Sequence, residues 1–267
     1  MLSIVVCVKA VPDPKEADNI RINPETKVLS RHEIPLVINS LDRNALEAAL
    51  QYKEANGAYI TVISMGPPSA GNVVKECLAL GADLGILLSD PAFAGADAYS
   101  TALTIAKAVE KLDKVDCVIC GRASSDGATE WVGPELAVFL DMPVVTMVRE
   151  FVETEESDWA VKADYENGYR LVRVTLPAVF TVTQKVNTPR TLSFSGIIKA
   201  RKKEIATWGL KELDVDAGSV GLTGSPTIVT EMTPLESRRE VEMLEGSLEE
   251  KAESLIGILS KAGVVNE

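Results

Sequence analysis

A chain of 267 residues, 46% hydrophobic and 25% charged, has the composition of a folded globular protein with a full core, sized for one large α/β domain or two modest ones. A formal net charge of −12 excludes a general nucleic-acid binder, which needs a basic footprint. No stretch reaches the apolar length of a membrane span, and MLSIVVCVKAVPDP has neither a basic start nor a small-residue cleavage site, so the expectation is a soluble, cytoplasmic protein whose first residues form a strand and not a signal peptide.

From that point short β-branched runs alternate with helix-like segments. IVVCVKAV (4–11) reads as a strand, and YITVISMG (59–66), LGILLSD (84–90), DCVICG (116–121) and PVVTMV (143–148) repeat the pattern. Between them lie LDRNALEAALQYKEANG (41–57), SAGNVVKECLALGA (69–82), ADAYSTALTIAKAVEKL (96–112) and GPELAVFLD (133–141). In the first of these, Leu46, Ala49 and Leu50 make a helical apolar face, and Gly57 stands where the helix should stop. Strand and helix in series predict a parallel sheet with right-handed crossovers, so residues 1–148 read as a doubly wound α/β unit.

Residues 148–184 alternate more regularly, and Asn167-Gly168 predicts the turn of an antiparallel hairpin, followed by a buried strand in PAVFTVT. Residues 185–210 read as a long connection with a basic cluster, and 211–234 as an extended stretch rich in Gly, Thr, Ser and Asp. LEGSLEEKAESLIGILSKAGV (244–264) reads as an amphipathic helix. The predicted organisation is an α/β domain with its hairpin over 1–184, a connecting segment over 185–210 and a tail over 211–267. The apolar face of the tail, Leu255, Ile256 and Leu259, packs either on its own domain or on a partner subunit.

Four cysteines and one histidine leave little room for metal or nucleophilic chemistry. Cys117 and Cys120 have a CxxC spacing, but within a strand residues three apart point to opposite faces, so both read as buried structural thiols. His32 lies in the polar stretch SRHEIP and reads as a loop residue.

The segment GRASSDGATEWVGPELAVFLDMP (121–143) leaves a strand, turns small and polar, and becomes helix-like near Gly133. In an open parallel sheet ligands bind beyond the carboxyl ends of the strands. A helix start offers free N–H groups and a positive dipole end to an anion. Gly121, Ala123, Ser124, Ser125, Gly127 and Ala128 let backbone approach a ligand closely, and Ser125 and Thr129 add hydroxyls. An adenine nucleotide with its phosphates on the helix start is the functional reading; a plain turn with capping residues is the structural one. The loop is neither a GxGxxG fingerprint nor a Walker loop with its lysine. VCVKAVPD, SMGPPSAG and INSLDRNALE supply further small polar loops, with Asn39, Ser40 and Asp42 at a helix start, although Asp42 is equally suited to a simple N-cap. Asp126 is the sole acid of the loop before Glu130, and no nucleophile with a base is visible, so a bound cofactor is expected to carry the chemistry.

VCVKAVPD, VINSLDRNALEAAL (37–50), SMGP (64–67), ALGAD (79–83), the 121–143 loop with its Leu-Asp-x-Pro end, and NTPRTLSFSGIIKARKKEI (187–205) together resemble the small (β) subunit of electron transfer flavoproteins along nearly the whole chain. The resemblance implies an adenine-nucleotide α-hydrolase-like α/β fold, a heterodimer with an α subunit clasped by the C-terminal arm, and electron transfer between flavoenzymes. It places the nucleotide contacts at Cys7, Asn39, Ser40, Leu41, Asp42, Met65 and the loop Gly121, Arg122, Ala123, Ser124, Ser125, Asp126, Gly127, Ala128, Thr129, Glu130, Trp131, Val132, with phosphates on the backbone of the last three. It also makes 190–199 a recognition loop for a dehydrogenase, with Arg190, Leu192, Phe194, Ile197 and Lys199 as contacts.

Two stretches depart from the family pattern. Phe194-Ser195 replaces a usual Leu-Pro, which leaves an acyl-CoA dehydrogenase and a 2-hydroxy-acid dehydrogenase both open as partners. Ala123-Ser124-Ser125-Asp126-Gly127-Ala128 lacks a second acid, while Asp126-Gly127, Val132-Gly133-Pro134-Glu135 and VPD at 11–13 are similar to electron-bifurcating members. In such members the pocket holds FAD, NAD(H) docks beside it, and a ferredoxin or flavodoxin takes one electron; in ordinary members it holds structural AMP. The expectation here is FAD, with AMP as the alternative. A stand-alone nucleotide-binding stress-type protein is a third reading, opposed by the long tail and by the 187–205 segment, neither of which nucleotide binding requires.

Overall fold

A computed structural model describes residues 1–19, 21–22, 29–30, 34–154, 157–230, 241 and 243–264; His32 lies outside them. Strand β1 (Leu2–Cys7) opens the fold. Two short antiparallel ribbons follow, β2 (Ala10–Pro12) with β5 (Leu36–Ile38) and β3 (Arg21–Ile22) with β4 (Leu29–Ser30). Helix α1 (Ser40–Asn56) then stops at Gly57, whose φ of 76° lies in the left-handed region that glycine adopts without strain. The alternation continues through β6 (Ala58–Met65), α2 (Gly71–Leu80), β7 (Leu84–Leu88), α3 (Ala98–Glu110), β8 (Cys117–Gly121) and α4 (Val132–Phe139). After these come β9 (Val144–Thr154), β10 (Asp158–Tyr165), β11 (Gly168–Thr175) and β12 (Ala178–Val182). Helix α5 (Phe194–Ala200), strand β13 (Ile205–Trp208), the helical turn α6 (Leu210–Leu213) and helix α7 (Leu248–Lys261) complete the order.

The main sheet runs β11-β10-β9-β12-β8-β1-β6-β7-β13. Seven strands from β9 to β13 are parallel, and β10 and β11 add an antiparallel end. From β1 the chain winds one way through β6 and β7, with α1 and α2 on one face. It then crosses back to β8, on the other side of β1, with α3 and α4 on the opposite face. Right-handed crossovers running in opposite directions must use opposite faces, so the winding reverses between β1 and β8.

Strand periodicity sorts the core onto these two faces. Ile4 and Val6 pack with Leu46, Leu50 and Leu78, whereas Val5 and Cys7 pack with Ile105, Val109 and Leu136. Cys117 belongs to the first cluster and Cys120 to the second, as their spacing requires, and all four cysteines are free and buried. The first face is closed beyond the parallel strands by an aromatic group in which Trp159 stacks on Phe180 at 5.4 Å and meets Phe151 edge-on at 5.5 Å. Aromatic pairs in such geometries add stabilisation beyond area burial.

The structure corrects three readings of the later chain. The hairpin turn is Glu166-Asn167, one residue earlier than Asn167-Gly168, because Gly168 already pairs with Tyr165 and Glu166 takes the positive φ of 44°. The connection 185–210 contains α5 and an edge strand, β13, which pairs parallel with β7; IATW is too short to announce itself beside a basic run. The stretch after 210 is not simply extended, since α6 forms there and Leu213 and Val220 are buried in the second cluster. Residues up to Thr230 form one unit and Glu231–Glu267 a second. In the second, α7 begins with a capping box in which Ser247 and Glu250 exchange side-chain to backbone bonds, and its unit leaves Leu255, Ile256 and Ile258 exposed.

Candidate functional site

The reversal of winding opens a crevice at the carboxyl ends of β1 and β8, and the start of α1 is packed into it. Asn39 occupies the N-cap position, yet its side chain does not cap the helix. Its Nδ2 donates to the Ala123 carbonyl at 2.8 Å and its Oδ1 accepts from the Ser125 N–H at 3.2 Å, so it grips the 121–131 loop instead. Asp42 is not an N-cap either. Its Oδ2 accepts from the Lys9 N–H at 2.8 Å and its Oδ1 from the Gly121 N–H at 2.9 Å, tying the two strand ends together. Burial raises the Asp42 carboxyl to about 6, against the pull of those two N–H groups, Asn39 and the Lys9 ammonium.

Lys9, two residues past β1, is not singled out by the sequence, yet it bonds the loop directly. Its ammonium donates to Asp126 at 2.6 Å and to the Ser124 hydroxyl at 3.2 Å. Ser124 also accepts from the N–H groups of Gly127 and Ala128, closing a tight turn. Ala128 (φ 49°) and Glu130 (φ 63°) then hold positive φ without being glycine, a conformation that is sparsely populated and clusters at ligand sites. Arg122 pairs with Glu130 across the loop. The loop delivers the chain to α4, whose N-cap residue, Trp131, provides no side-chain cap. The signal that could have exposed Lys9 is its place: it is the cation of VCVKAVPD at a strand's carboxyl end.

These residues fit an adenine nucleotide. An uncapped helix start presents unpaired N–H groups to an anion. The acids that would repel phosphate, Asp126 and Glu130, each carry a bonded cation, Lys9 and Arg122. The remaining expected contacts are more peripheral. Met65 is half-buried at the end of β6, Ser40 and Leu41 open α1, and Thr129 and Val132 flank the helix start. Cys7 is 6% exposed with its thiol in the second core cluster, where burial first and Asp42 second push it up to about 12, so it is no nucleophile. Among the described residues no cluster of His, Cys, Asp and Glu could hold a metal ion, and no helix is long and apolar enough to cross a membrane.

The expected recognition loop is a second place on the surface. Ser193 caps α5 by accepting from the Gly196 N–H at 3.0 Å, and α5 packs on α2. This presents Phe194, 80% exposed, beside exposed Leu192, Ile197, Ile198 and Lys199. Arg190 is engaged within the chain. Its guanidinium bonds buried Glu47, at 2.7 Å from Nε, and also Glu54, and these carboxylates raise its pKa, Glu54 most. Asn187 and Asn44 exchange side-chain to backbone bonds at 2.9 and 3.0 Å. Asn187-Thr188-Pro189-Arg190 is thus a clip onto α1 that sets where α5 begins.

Comparison with known proteins identifies the family. The electron transfer flavoprotein domain matches residues 26–213. The chain is 42% identical over 265 residues to the electron transfer flavoprotein subunit beta of Thermoanaerobacterium thermosaccharolyticum, covering 99% of this chain and 100% of that one. It is 38% identical over 266 residues to the caffeyl-CoA reductase-Etf complex subunit CarD of Acetobacterium woodii, covering 99% and 100%. It is 34% identical over 268 residues to protein FixA of Azorhizobium caulinodans, covering 97% and 94%. The family match over residues 26–213 and the full-length similarity show that the chain belongs to the electron transfer flavoprotein family, among its β subunits.

Proposed function

We propose that the β1–β8 crevice holds the adenine end of FAD, and that the chain works as the small subunit of a bifurcating electron transfer flavoprotein in a heterodimer with an α subunit. The observation that carries this reading is the pair of strand ends bound by Asp42, with the 121–131 loop held by Asn39 and leading into an uncapped helix start. Similarity to a subunit named for a caffeyl-CoA reductase-Etf complex supports the bifurcating assignment. When bound, the flavin supplies the redox chemistry: hydride exchange with NAD(H), then one-electron delivery to a ferredoxin- or flavodoxin-type carrier and to the α-subunit flavin. The chain's own residues bind and orient. Backbone N–H groups at 130–132 meet the phosphates, Asn39 and Asp42 fix the loop, and Lys9 and Arg122 balance the charges of Asp126 and Glu130. The tail 231–267 clasps the α subunit.

Denaturing the purified heterodimer and quantifying the released nucleotides tests the cofactor. Two FAD per heterodimer and no AMP is the expected result. One FAD with one AMP overturns it and leaves this chain as a scaffold around a structural nucleotide.

The α5 surface is assigned to docking of a flavin dehydrogenase, of acyl-CoA or 2-hydroxy-acid type. An exposed aromatic flanked by aliphatic side chains and cations is the usual composition of an interface anchor. Phe194→Asp is expected to slow electron transfer to that dehydrogenase by about tenfold or more, the scale of an anchor worth over 1.4 kcal/mol, with cofactor content unchanged. Unaltered transfer removes Phe194 from the contact.

A further inference from the structure

The residue that joins most of the crevice together is Lys9. Its N–H donates to Asp42 at 2.8 Å and its carbonyl accepts from the Asn39 N–H at 3.0 Å, so its backbone is fixed by α1 on both sides. From that fixed base the ammonium reaches Ser124 at 3.2 Å and Asp126 at 2.6 Å, 115 and 117 residues away in the chain. The two ends of this contact differ in exposure, 44% for the Lys9 side chain and 9% for Asp126. The carboxylate is therefore shielded by the loop, and its charge is balanced from outside the loop by a residue of another strand end.

We infer that Lys9 is the positioning residue of the nucleotide loop, acting through Asp126 and Ser124 to set the backbone between Ser124 and Val132 in its ligand-binding form. The inference rests on the site reading above and gives Lys9, there only the counter-charge of Asp126, a role in setting the loop's conformation. The chain of cause is short. The ammonium holds the Ser124 hydroxyl and the Asp126 carboxylate together, and Ser124 in turn receives the N–H groups of Gly127 and Ala128. The next residues carry the positive φ values that aim the start of α4. Without the ammonium, Asp126 loses its bond at 2.6 Å and Ser124 its bond at 3.2 Å. The link that holds Ser124 and Asp126 together from β1 is then gone, and the turn that Ser124 closes is held less firmly. A contact this exposed on the lysine side contributes little to global stability, so its effect should appear in ligand binding and not in unfolding.

The test uses the heterodimer, stripped of nucleotide and titrated separately with FAD and with AMP, in wild type and in Lys9→Met, Lys9→Arg, Asp126→Asn and the Met/Asn double variant. Lys9→Met is expected to weaken binding of the resident nucleotide ten- to a hundredfold, with the unfolding midpoint of the stripped protein little changed. Lys9→Arg is expected to bind within about threefold of wild type, because a guanidinium still balances Asp126. The double variant is expected to bind no worse than Lys9→Met, since the bond from residue 9 to Asp126 is already gone once the ammonium is removed. Binding by Lys9→Met within twofold of wild type overturns the inference, and so do additive losses in the double variant, which would mean that Lys9 does not act through Asp126. Amide hydrogen exchange separates this from failure of the site itself. If nucleotide does not protect residues 128–133 in the wild-type heterodimer, the site is misplaced; if it protects them and Lys9→Met still binds normally, only the role of Lys9 fails.

Discussion

Gly121→Ala is expected to strip the nucleotide from the heterodimer and to lower stability by about 2–3 kcal/mol, the upper part of the range for an overpacked core. The residue ends β8, and its N–H is one of the two donors that Asp42 accepts. A Cβ placed on it would lie 2.5 Å from the Asp42 carboxylate, 2.7 Å from Leu41 Cβ and 2.8 Å from the Leu41 backbone carbon. Two of those atoms cannot swing away as the end of a flexible side chain can, so the first turn of α1 has to retreat from the strand. That turn carries both Asn39 and Asp42, and its retreat withdraws the four side-chain bonds they make to Lys9, Gly121, Ala123 and Ser125. Denaturant midpoints and nucleotide content, measured on one preparation, check both halves of the expectation. Gly168→Ala is the control, since a Cβ there meets nothing within 4 Å and should change neither quantity. A Gly121→Ala protein that keeps its nucleotide and its midpoint means that α1 does not approach β8 this closely.

Asp42→Asn is expected to change the pH dependence of folding as well as nucleotide retention. Burial, the largest cause, pushes the folded carboxyl up to about 6 from its ordinary 3.8. A raised carboxyl binds its proton more tightly in the folded than in the unfolded chain. Its contribution to stability is therefore fully present below pH 3.8 and is lost as pH rises through 6. At 1.36 kcal/mol per unit, a difference of about two units amounts to about 3 kcal/mol. The asparagine variant does not titrate, so the stability of wild type relative to the variant should fall by about that amount between pH 4 and pH 7. Urea unfolding of both proteins at the two pH values measures it directly. A constant difference means that water reaches Asp42 and its carboxyl titrates normally. The variant should also release nucleotide, because an amide presents one oxygen and one NH2 to two backbone donors. Either Lys9 or Gly121 is left facing a donor, which costs about 1–3 kcal/mol and frees one strand end of the crevice.

The amino-acid sequence alone determined the local units and their sidedness. The β-branched runs placed the first parallel strands, Leu46, Ala49 and Leu50 placed the buried face of α1, and Gly57 placed its end. The spacing of Cys117 and Cys120 sent them to opposite faces of the sheet, where they lie in separate cores. The small, polar loop before α4 marked the turn that leaves the carboxyl end of β8. All of these depend on periodicity or on backbone preference within a few residues, which a sequence displays openly. Tertiary structure decided the rest, because strand order is a matter of which distant segments become neighbours. Only when β8 is laid beside β1 do Lys9 and Asp126, 117 positions apart, and Asp42 and Gly121, 79 apart, come within hydrogen-bond reach. The same cause turned Arg190 from an expected surface contact into a clip on Glu47 and made IATW an edge strand, since β7 offers it a free row of backbone partners. Residue type announced that a polar group stood at each of these positions. Its partner, and with it the set of bonds that hold the 121–131 loop, followed from the reversal of winding at the centre of the sheet.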